Sequence, residues 1–222
     1  MAPTMIVKVC GITNLEDALC AVDAGADMLG FIFYPPSPRS IRIEFARKIA
    51  GELRNRTIAD RPLTSTQLVG VFVDETPEIM RRMLDECGLD LAQLSGNETP
   101  ETLAAMRGRA YKAVRNAADA AIFSARPARP EELRPDVLLE ADHPTLYGGS
   151  GERADDALAA HLARRHRVLL AGGLTPLNVT QAIRTAQPWG VDVASGVELR
   201  KGKKDHAKVR AFVRAAKQPI AA

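Results

Sequence analysis

The residues of this chain best suited to chemistry begin at Cys10, in the segment Val7-Lys8-Val9-Cys10-Gly11-Ile12-Thr13. A thiol there ends a short apolar run, just before a glycine turn and a helix start. Such a side chain is held rigidly and projects into the region where α/β folds keep their ligands. It can act as a base or nucleophile, with the following helix N-terminus favouring the thiolate; the plain alternative is an inert buried thiol. Arg39 lies in Tyr34-Pro35-Pro36-Ser37-Pro38-Arg39. A proline-stiffened loop presenting one guanidinium suits bidentate capture of a carboxylate, against the alternative of a surface arginine. Glu140 and Asp142 close another apolar run. A carboxyl group there is a candidate general acid if burial raises its pKa, or else a solvated loop charge. His143 beside them reads as loop structure.

Three glycine motifs follow late apolar runs: Gly148-Gly149-Ser150-Gly151, Gly172-Gly173 and Ser195-Gly196. Glycine lets backbone N–H groups approach an anion closely. Gly149, Gly151, Gly172, Gly173, Ser195 and Gly196 are therefore candidate ligands of a phosphate, which implies a small phosphorylated substrate. The cysteines Cys10, Cys20 and Cys87 are odd in number and form no C-x-x-C. Zinc and dithiol readings are accordingly weak, and no metal ligands are assigned.

Eight short apolar runs must position these groups: Met5–Cys10, Met28–Phe33, Leu68–Val73, Leu89–Leu94, Ala110–Val114, Asp136–Glu140, Arg167–Ala171 and Gly190–Ser195. They are continuous rather than alternating, as in parallel strands buried on both faces. Helical patterns lie between them. Thr13-x-x-Glu16 reads as a capping box, with Leu15, Leu19 and Val22 on the stripe that follows. Thr76-Pro77 and Thr175-Pro176 open further helices. Ile79, Met83, Leu84 and Cys87 form the stripe of the former. Asp205 caps a last helix with the stripe Val209, Phe212, Val213 and Ala216. Cys20 and Cys87 fall in helical patterns and read as core. Strand–helix alternation eight times over predicts an α/β fold, a (β/α)₈ TIM barrel formed as a single domain by residues 1–222. An open doubly wound sheet competes, but no dinucleotide fingerprint accompanies it. In a barrel the loops after the strands build the site, and those after strands 7 and 8 frequently hold phosphate.

The net charge of +3 is spread along the chain, and no basic block is dense enough for a nucleic-acid footprint. Arg200-Lys201-Gly202-Lys203-Lys204 is the densest run. It reads as a solvated loop or as a lure for an anionic substrate. No apolar stretch nears the ~20 residues that span a bilayer, and the N-terminus lacks a signal-peptide pattern. The expectation is a cytoplasmic protein with reduced thiols and no membrane or nucleic-acid partner.

The motifs resemble those of the phosphoribosylanthranilate isomerase family of tryptophan biosynthesis. The resemblance rests on Lys8 to Thr13, on Gly30-Phe31-Ile32-Phe33 with Ser37-Pro38-Arg39-Ser40-Ile41, and on Val69 to Val73. It continues through Leu146 to Gly151, Ala171 to Asn178 and Val191 to Glu198. It implies a TIM barrel and a cofactor-free Amadori rearrangement of N-(5-phosphoribosyl)anthranilate to 1-(2-carboxyphenylamino)-1-deoxyribulose 5-phosphate. A general acid protonates the furanose oxygen and opens the ring to a Schiff base; a general base then takes the C2′ proton. The resemblance makes Cys10 the base, gives Arg39 the anthranilate carboxylate and gives the late glycines the phosphate. Two departures stand out. The family acid is an aspartate seven residues before the tyrosine of Tyr-Gly-Gly, and here that position is Glu140, with Asp142 the second choice. Ser95, in Gln93-Leu94-Ser95-Gly96, stands where the family usually has histidine. Competing readings are a related phosphosugar barrel enzyme, such as indoleglycerol-phosphate synthase, and a phosphate-ligand binding protein that has lost catalysis through the change at 140. Monomer and homodimer both suit such a barrel.

Overall fold

The computed structural model describes residues 5–55, 57–58, 61–62, 66–123, 133–141 and 154–218. Eight parallel strands form a closed barrel: β1 (Ile6–Cys10), β2 (Met28–Ile32), β3 (Gln67–Phe72), β4 (Leu91–Leu94), β5 (Ala110–Val114), β6 (Val137–Leu139), β7 (Val168–Leu170) and β8 (Gly190–Val193). Eight helices alternate with them: α1 (Leu15–Asp23), α2 (Ile43–Arg54), α3 (Pro77–Cys87), α4 (Pro100–Ala105), α5 (Ala117–Phe123), α6 (Asp156–Ala163), α7 (Val179–Ala186) and α8 (His206–Lys217). Each of the eight expected runs is a barrel strand, trimmed by a residue or two at most of its ends. The last strand pairs with the first, in the register Lys8↔Asp192 and Val9↔Val193, and β1 meets β2 at Cys10↔Gly30.

Alternation of side chains along each strand divides the core in two. Val7 and Val9 face the helices and join the large apolar cluster beneath them. Inside the barrel a smaller apolar set, including Met28, Val69, Leu91, Leu138 and Leu169, fills the lower interior, with Ile6 packed against it. Tyr111 joins this set and is wholly buried. Each fully buried aliphatic side chain contributes about 1.5–3 kcal/mol.

Local structure departs from the sequence expectation in four places. The N-cap of α1 is Asn14 rather than Thr13. Asn14 Oδ1 accepts the Asp17 N–H (2.9 Å), and Thr13 Oγ1 donates instead to the Gly202 carbonyl. Thr175-Pro176 forms a turn, and α7 starts only at Val179; Asn178 is spent on the preceding loop, accepting the Thr175 N–H (2.7 Å) and donating to the Gly173 carbonyl (2.9 Å). The α3 stripe is centred on Met80, Leu84 and Cys87, with Met83 partly buried at its edge and Ile79 outside it. The basic run after β8 is a hairpin, β9 (Glu198–Arg200) and β10 (Lys203–Lys204), preceded by a 3₁₀ turn over Ser195–Val197. Its turn residue Gly202 has φ +79°, a conformation that favours glycine. Lys204 is buried there, so the run is not simply a solvated loop. A second two-stranded hairpin, Thr57–Ile58 with Arg61–Pro62, precedes β3. The stripe Val209, Phe212, Val213 and Ala216 is buried as expected, as are Cys20 and Cys87.

Asp17 closes the seam between the first and last helices. Its buried carboxylate accepts from Asn14 Nδ2 (2.8 Å) and from the Lys204 N–H (2.8 Å), and it pairs with Lys203 Nζ (3.0 Å) and His206 Nε2 (2.9 Å). Burial pushes its carboxyl up, but the Lys204 N–H, Asn14, His206 and Lys203 together hold it below the usual aspartate value. A depressed carboxylate stabilises the fold above the unfolded-state value, and that contribution fades as pH falls through about 4 and below. Asp17→Ala is expected to cost about 1–3 kcal/mol at pH 7, because it orphans a buried N–H. In urea titrations the gap between variant and wild type should narrow on going to pH 3.

Candidate active site

The strands' C-terminal ends converge on a cavity lined by Cys10, Arg39, Glu140, Gly172, Gly173 and Ser195, together with Gln93, Ser95 and Asp192. Six of these nine, Cys10, Arg39, Glu140, Gly172, Gly173 and Ser195, are candidates from the sequence, and they come from five separate segments of it. Gly196, next to Ser195 in the chain, is not among the lining residues. Asp142, Gly149, Gly151 and His143 lie outside the described residues.

Cys10 reaches the cavity because β1 alternates and because its neighbour on β2 is glycine. A Cβ at Gly30 would sit 2.6 Å from Cys10 Sγ, so a larger residue there would displace the thiol. Burial pushes the thiol's pKa up; the Lys8 ammonium opposes this, Asp192 adds to it, and Lys204 opposes it again. The net shift is upward. This corrects the expectation that a helix N-terminus would favour the thiolate: loss of water outweighs the nearby positive charge, and the thiol rests protonated at neutral pH. Two positions before Cys10, Lys8 is fully buried and ion-paired with Asp192 Oδ1 at 2.9 Å. Asp192 holds it charged despite its burial.

Glu140 directly follows β6 and is 6% exposed. Burial raises its carboxyl, and Arg115 and Lys112 pull it back only to about 7. Arg115 Nη2 approaches Oε1 at 3.0 Å, but it is aimed at the Ser95 carbonyl (2.8 Å). Oε1 thus has no well-directed hydrogen bond among the described residues. A carboxyl group poised near neutrality at a cavity wall fits proton transfer. β1 and β6 are three strands apart round the barrel, so thiol and carboxyl approach a bound molecule from different sides.

Arg39 is buried at the rim, and its Nε and Nη2 grip Glu198 Oε1 and Oε2, each at 2.8 Å. The guanidinium fork expected to meet a substrate carboxylate thus already holds one on β9, and only the remaining face of Arg39 turns to the cavity. Glu198 also accepts from Lys204 Nζ (3.3 Å) and from the Gly202 N–H (3.2 Å). Burial raises its carboxyl, but Arg39 and Lys204 more than offset this and keep it ionised.

The loops after β7 and β8 lie against each other. A Cβ at Gly196 would come within 1.9 Å of the Leu174 carbonyl oxygen. Gly172 and Gly173 take φ +86° and +57°. The N–H groups of Gly172, Gly173, Ser195 and Gly196 donate to no acceptor among the described residues. Such a cluster of amides suits an anion. No group of three or more His, Cys, Asp or Glu among the described residues could hold a metal.

The sequence assigns no individual role to Lys8, Gln93, Arg115, Asp192 or Glu198, and presents Lys204 only as part of a basic run that is either solvated or a lure for an anion. Gln93 accepts from Tyr111 Oη (3.1 Å) and donates to Ser95 Oγ (3.0 Å), forming a polar floor. One signal was present: Lys8 and Asp192 are charges inside otherwise apolar strands, and a buried charge needs a partner.

The model of the N-(5′-phosphoribosyl)anthranilate isomerase family matches residues 7–215. The chain belongs to the N-(5′-phosphoribosyl)anthranilate isomerase family. Curated members of the family include a Pelobacter propionicus protein, 44% identical over 96% of this chain and 95% of its own length, and one from Roseiflexus castenholzii, 46% identical over 96% and 98%. A crystal structure of phosphoribosyl anthranilate isomerase from Thermotoga maritima superposes with a TM-score of 0.81 at 38% identity, over 96% of this chain and 98% of that one. A family structure in complex with reduced 1-(o-carboxyphenylamino)-1-deoxyribulose 5-phosphate matches with a TM-score of 0.78 at 37% identity, over the same shares. The barrel described above is the family's fold.

Gly30→Ala is expected to leave the fold assembled but to shift the Cys10 thiol by about 1 Å, lowering kcat by about 100-fold. Steady-state kinetics beside a circular-dichroism spectrum checks both halves.

Proposed function

We infer that the chain catalyses the Amadori rearrangement of N-(5-phosphoribosyl)anthranilate to 1-(2-carboxyphenylamino)-1-deoxyribulose 5-phosphate, a step of tryptophan biosynthesis. The single observation that carries the assignment of roles is the convergence, on one cavity, of a thiol, a carboxyl group held near neutrality and a cluster of amides that meet no acceptor among the described residues. The amides of Gly172, Gly173, Ser195 and Gly196 hold the phosphate, and Gly149 and Gly151 join them from the loop after β6. Arg39, its Nε and Nη2 taken by Glu198, turns its remaining face to the anthranilate carboxylate. Glu140 donates a proton to the furanose oxygen, the C1′–O bond breaks, and the anilino nitrogen becomes an iminium. Cys10, as thiolate, removes the C2′ proton. The C–H electron pair becomes the enolamine double bond and neutralises the nitrogen, and tautomerisation gives the ketose. Glu140 stands where the family has aspartate, and Asp142 is the alternative acid.

Every group named comes from one chain, so a monomer or either half of a homodimer presents the whole site. A related Thermotoga maritima enzyme is described as dimeric and has been obtained as monomers. Residues 1–222 act as one catalytic domain, and the steps above call on no cofactor. The three cysteines are unpaired thiols, which fits a reducing compartment, and we assign the enzyme to the cytoplasm. No helix among the described residues is long and apolar enough to cross a membrane.

The pH dependence follows from the two shifts. With Glu140 near 7 and the thiol raised, the pair carries two protons in acid, one between the two values, and none above both. The productive form, carboxyl plus thiolate, is an isomer of the one-proton state. kcat/KM should therefore rise with pH through about 7, level off, and fall as the thiol titrates. A profile flat through neutrality would remove Glu140 as a titrating group. Cys10→Ala should abolish turnover, followed by loss of substrate fluorescence, without unfolding; near-normal activity would refute the base. Glu140→Ala should cost far more activity than Asp142→Ala, and the opposite ranking would make Asp142 the acid. Substrate that binds without being converted would favour a binding protein.

A further inference from the structure

Lys8 is the least economical residue in the barrel. Its side chain is wholly buried and its ammonium is paired with Asp192, and a buried ion pair is generally no more stabilising than well-packed hydrophobic residues of the same volume. Its place is specific, however. Lys8 and Cys10 are two apart on β1 and so share the inward side, with Lys8 about 7 Å lower along the strand. Asp192, its register partner on β8, grips Nζ at 2.9 Å and leaves the rest of its carboxylate at the cavity floor.

We propose that Lys8 is a positioning residue for the reaction: clamped by Asp192, its fixed ammonium stabilises the Cys10 thiolate that abstracts the C2′ proton. The proposal rests on the reading of Cys10 as base. Lys8 keeps its proton throughout. The proton removed from carbon goes to sulfur, and the C–H pair goes into the enolamine. The resting enzyme holds its shared proton on sulfur, and a neighbouring cation enlarges the minor fraction in which that proton sits on Glu140 instead. Other charges face the thiol as well. Asp192 on β8 opposes Lys8, and Lys204 on β10 assists it while held by Glu198. Tyr111 on β5 faces Lys8, and its phenol is pushed up by burial, so it stays neutral. Arg39, from the loop after β2, faces Lys204, and Glu140 after β6 senses Asp192. Among these, Lys8 is the largest single influence favouring the thiolate.

The test is the pH dependence of Cys10 alkylation by iodoacetamide, with peptide mass mapping to separate Cys10 from Cys20 and Cys87. It is run on wild type, Lys8→Met, Asp192→Asn and Lys8→Met/Asp192→Asn, each checked for folding by circular dichroism. Lys8→Met strands a buried carboxylate and is the variant most at risk of misfolding; the double variant removes both charges and keeps the readout. Lys8→Met should move the alkylation midpoint upward from wild type by about one pH unit or more, and the double variant should lie above Asp192→Asn in the same direction, because Asp192 itself raises the thiol. Lys8→Met should cut kcat by about tenfold or more while KM stays within about threefold. A folded Lys8→Met variant with the wild-type midpoint, or a folded double variant with the Asp192→Asn midpoint, overturns the proposal and leaves the assignment of Cys10 untouched. A raised midpoint with unchanged kcat overturns the assignment of Cys10 as base, and the proposal with it.

Discussion

Closure of the barrel is the constraint on which the rest depends. Once β8 pairs with β1, every inward side chain of these two strands shares one narrow interior with those of the other six. Strand periodicity then leaves β1 little choice: Val7 and Val9 pack under the helices, while Lys8 and Cys10 face inward. The lower interior is hydrocarbon and the upper interior is polar. That boundary runs through the Lys8–Asp192 pair and the Tyr111–Gln93–Ser95 chain of hydrogen bonds. The cavity of the proposed chemistry lies just above it, where burial is deep enough to move pKa values.

Burial acts on the two proposed proton-transfer groups in the same direction but with different consequences. It keeps the Cys10 thiol protonated at rest, and it brings the Glu140 carboxyl up to about 7, into the useful range for an acid. Surrounding charges then trim each value. Arg115 keeps Glu140 from rising further, and Lys8 limits the rise of Cys10. Elsewhere cations and anions cancel one another tightly, as in the Arg39–Glu198–Lys204 cluster. Such a cluster fixes a loop geometry more than it adds stability.

The barrel strands were legible because continuous runs of Val, Ile and Leu leave few alternatives to a strand buried on both faces. Helix starts were legible where a single motif decided them, as at Thr76-Pro77 and Asp205. They were not where two residues competed: Asn14 displaced Thr13, and Asn178 was drawn into bracing the loop after β7. Cys10, Arg39, Glu140 and the late glycines stand out because they end strands or lie in the loops that follow them. Glu198 and Lys204 do not, because the run from Arg200 to Lys204 looks solvated until a hairpin turns one lysine inward. The fork of Arg39 could not be seen to be occupied, since its partner lies 159 positions away.

That separation is typical of the site. Lys8 meets Asp192 across 184 positions, and Asp17 meets Lys204 across 187. Residues of β1 and α1 thus wait for partners in and after β8. Until β8 emerges, Lys8 has no counter-ion and the interior of a partial barrel cannot shed its water around it. Contacts of such long range make local folding of the first half unrewarding. The barrel is consequently held uncommitted until β8 is in place, and the segment from β8 to α8 supplies both the final staves of the cask and the charges that meet Lys8, Asp17 and Arg39 at its mouth.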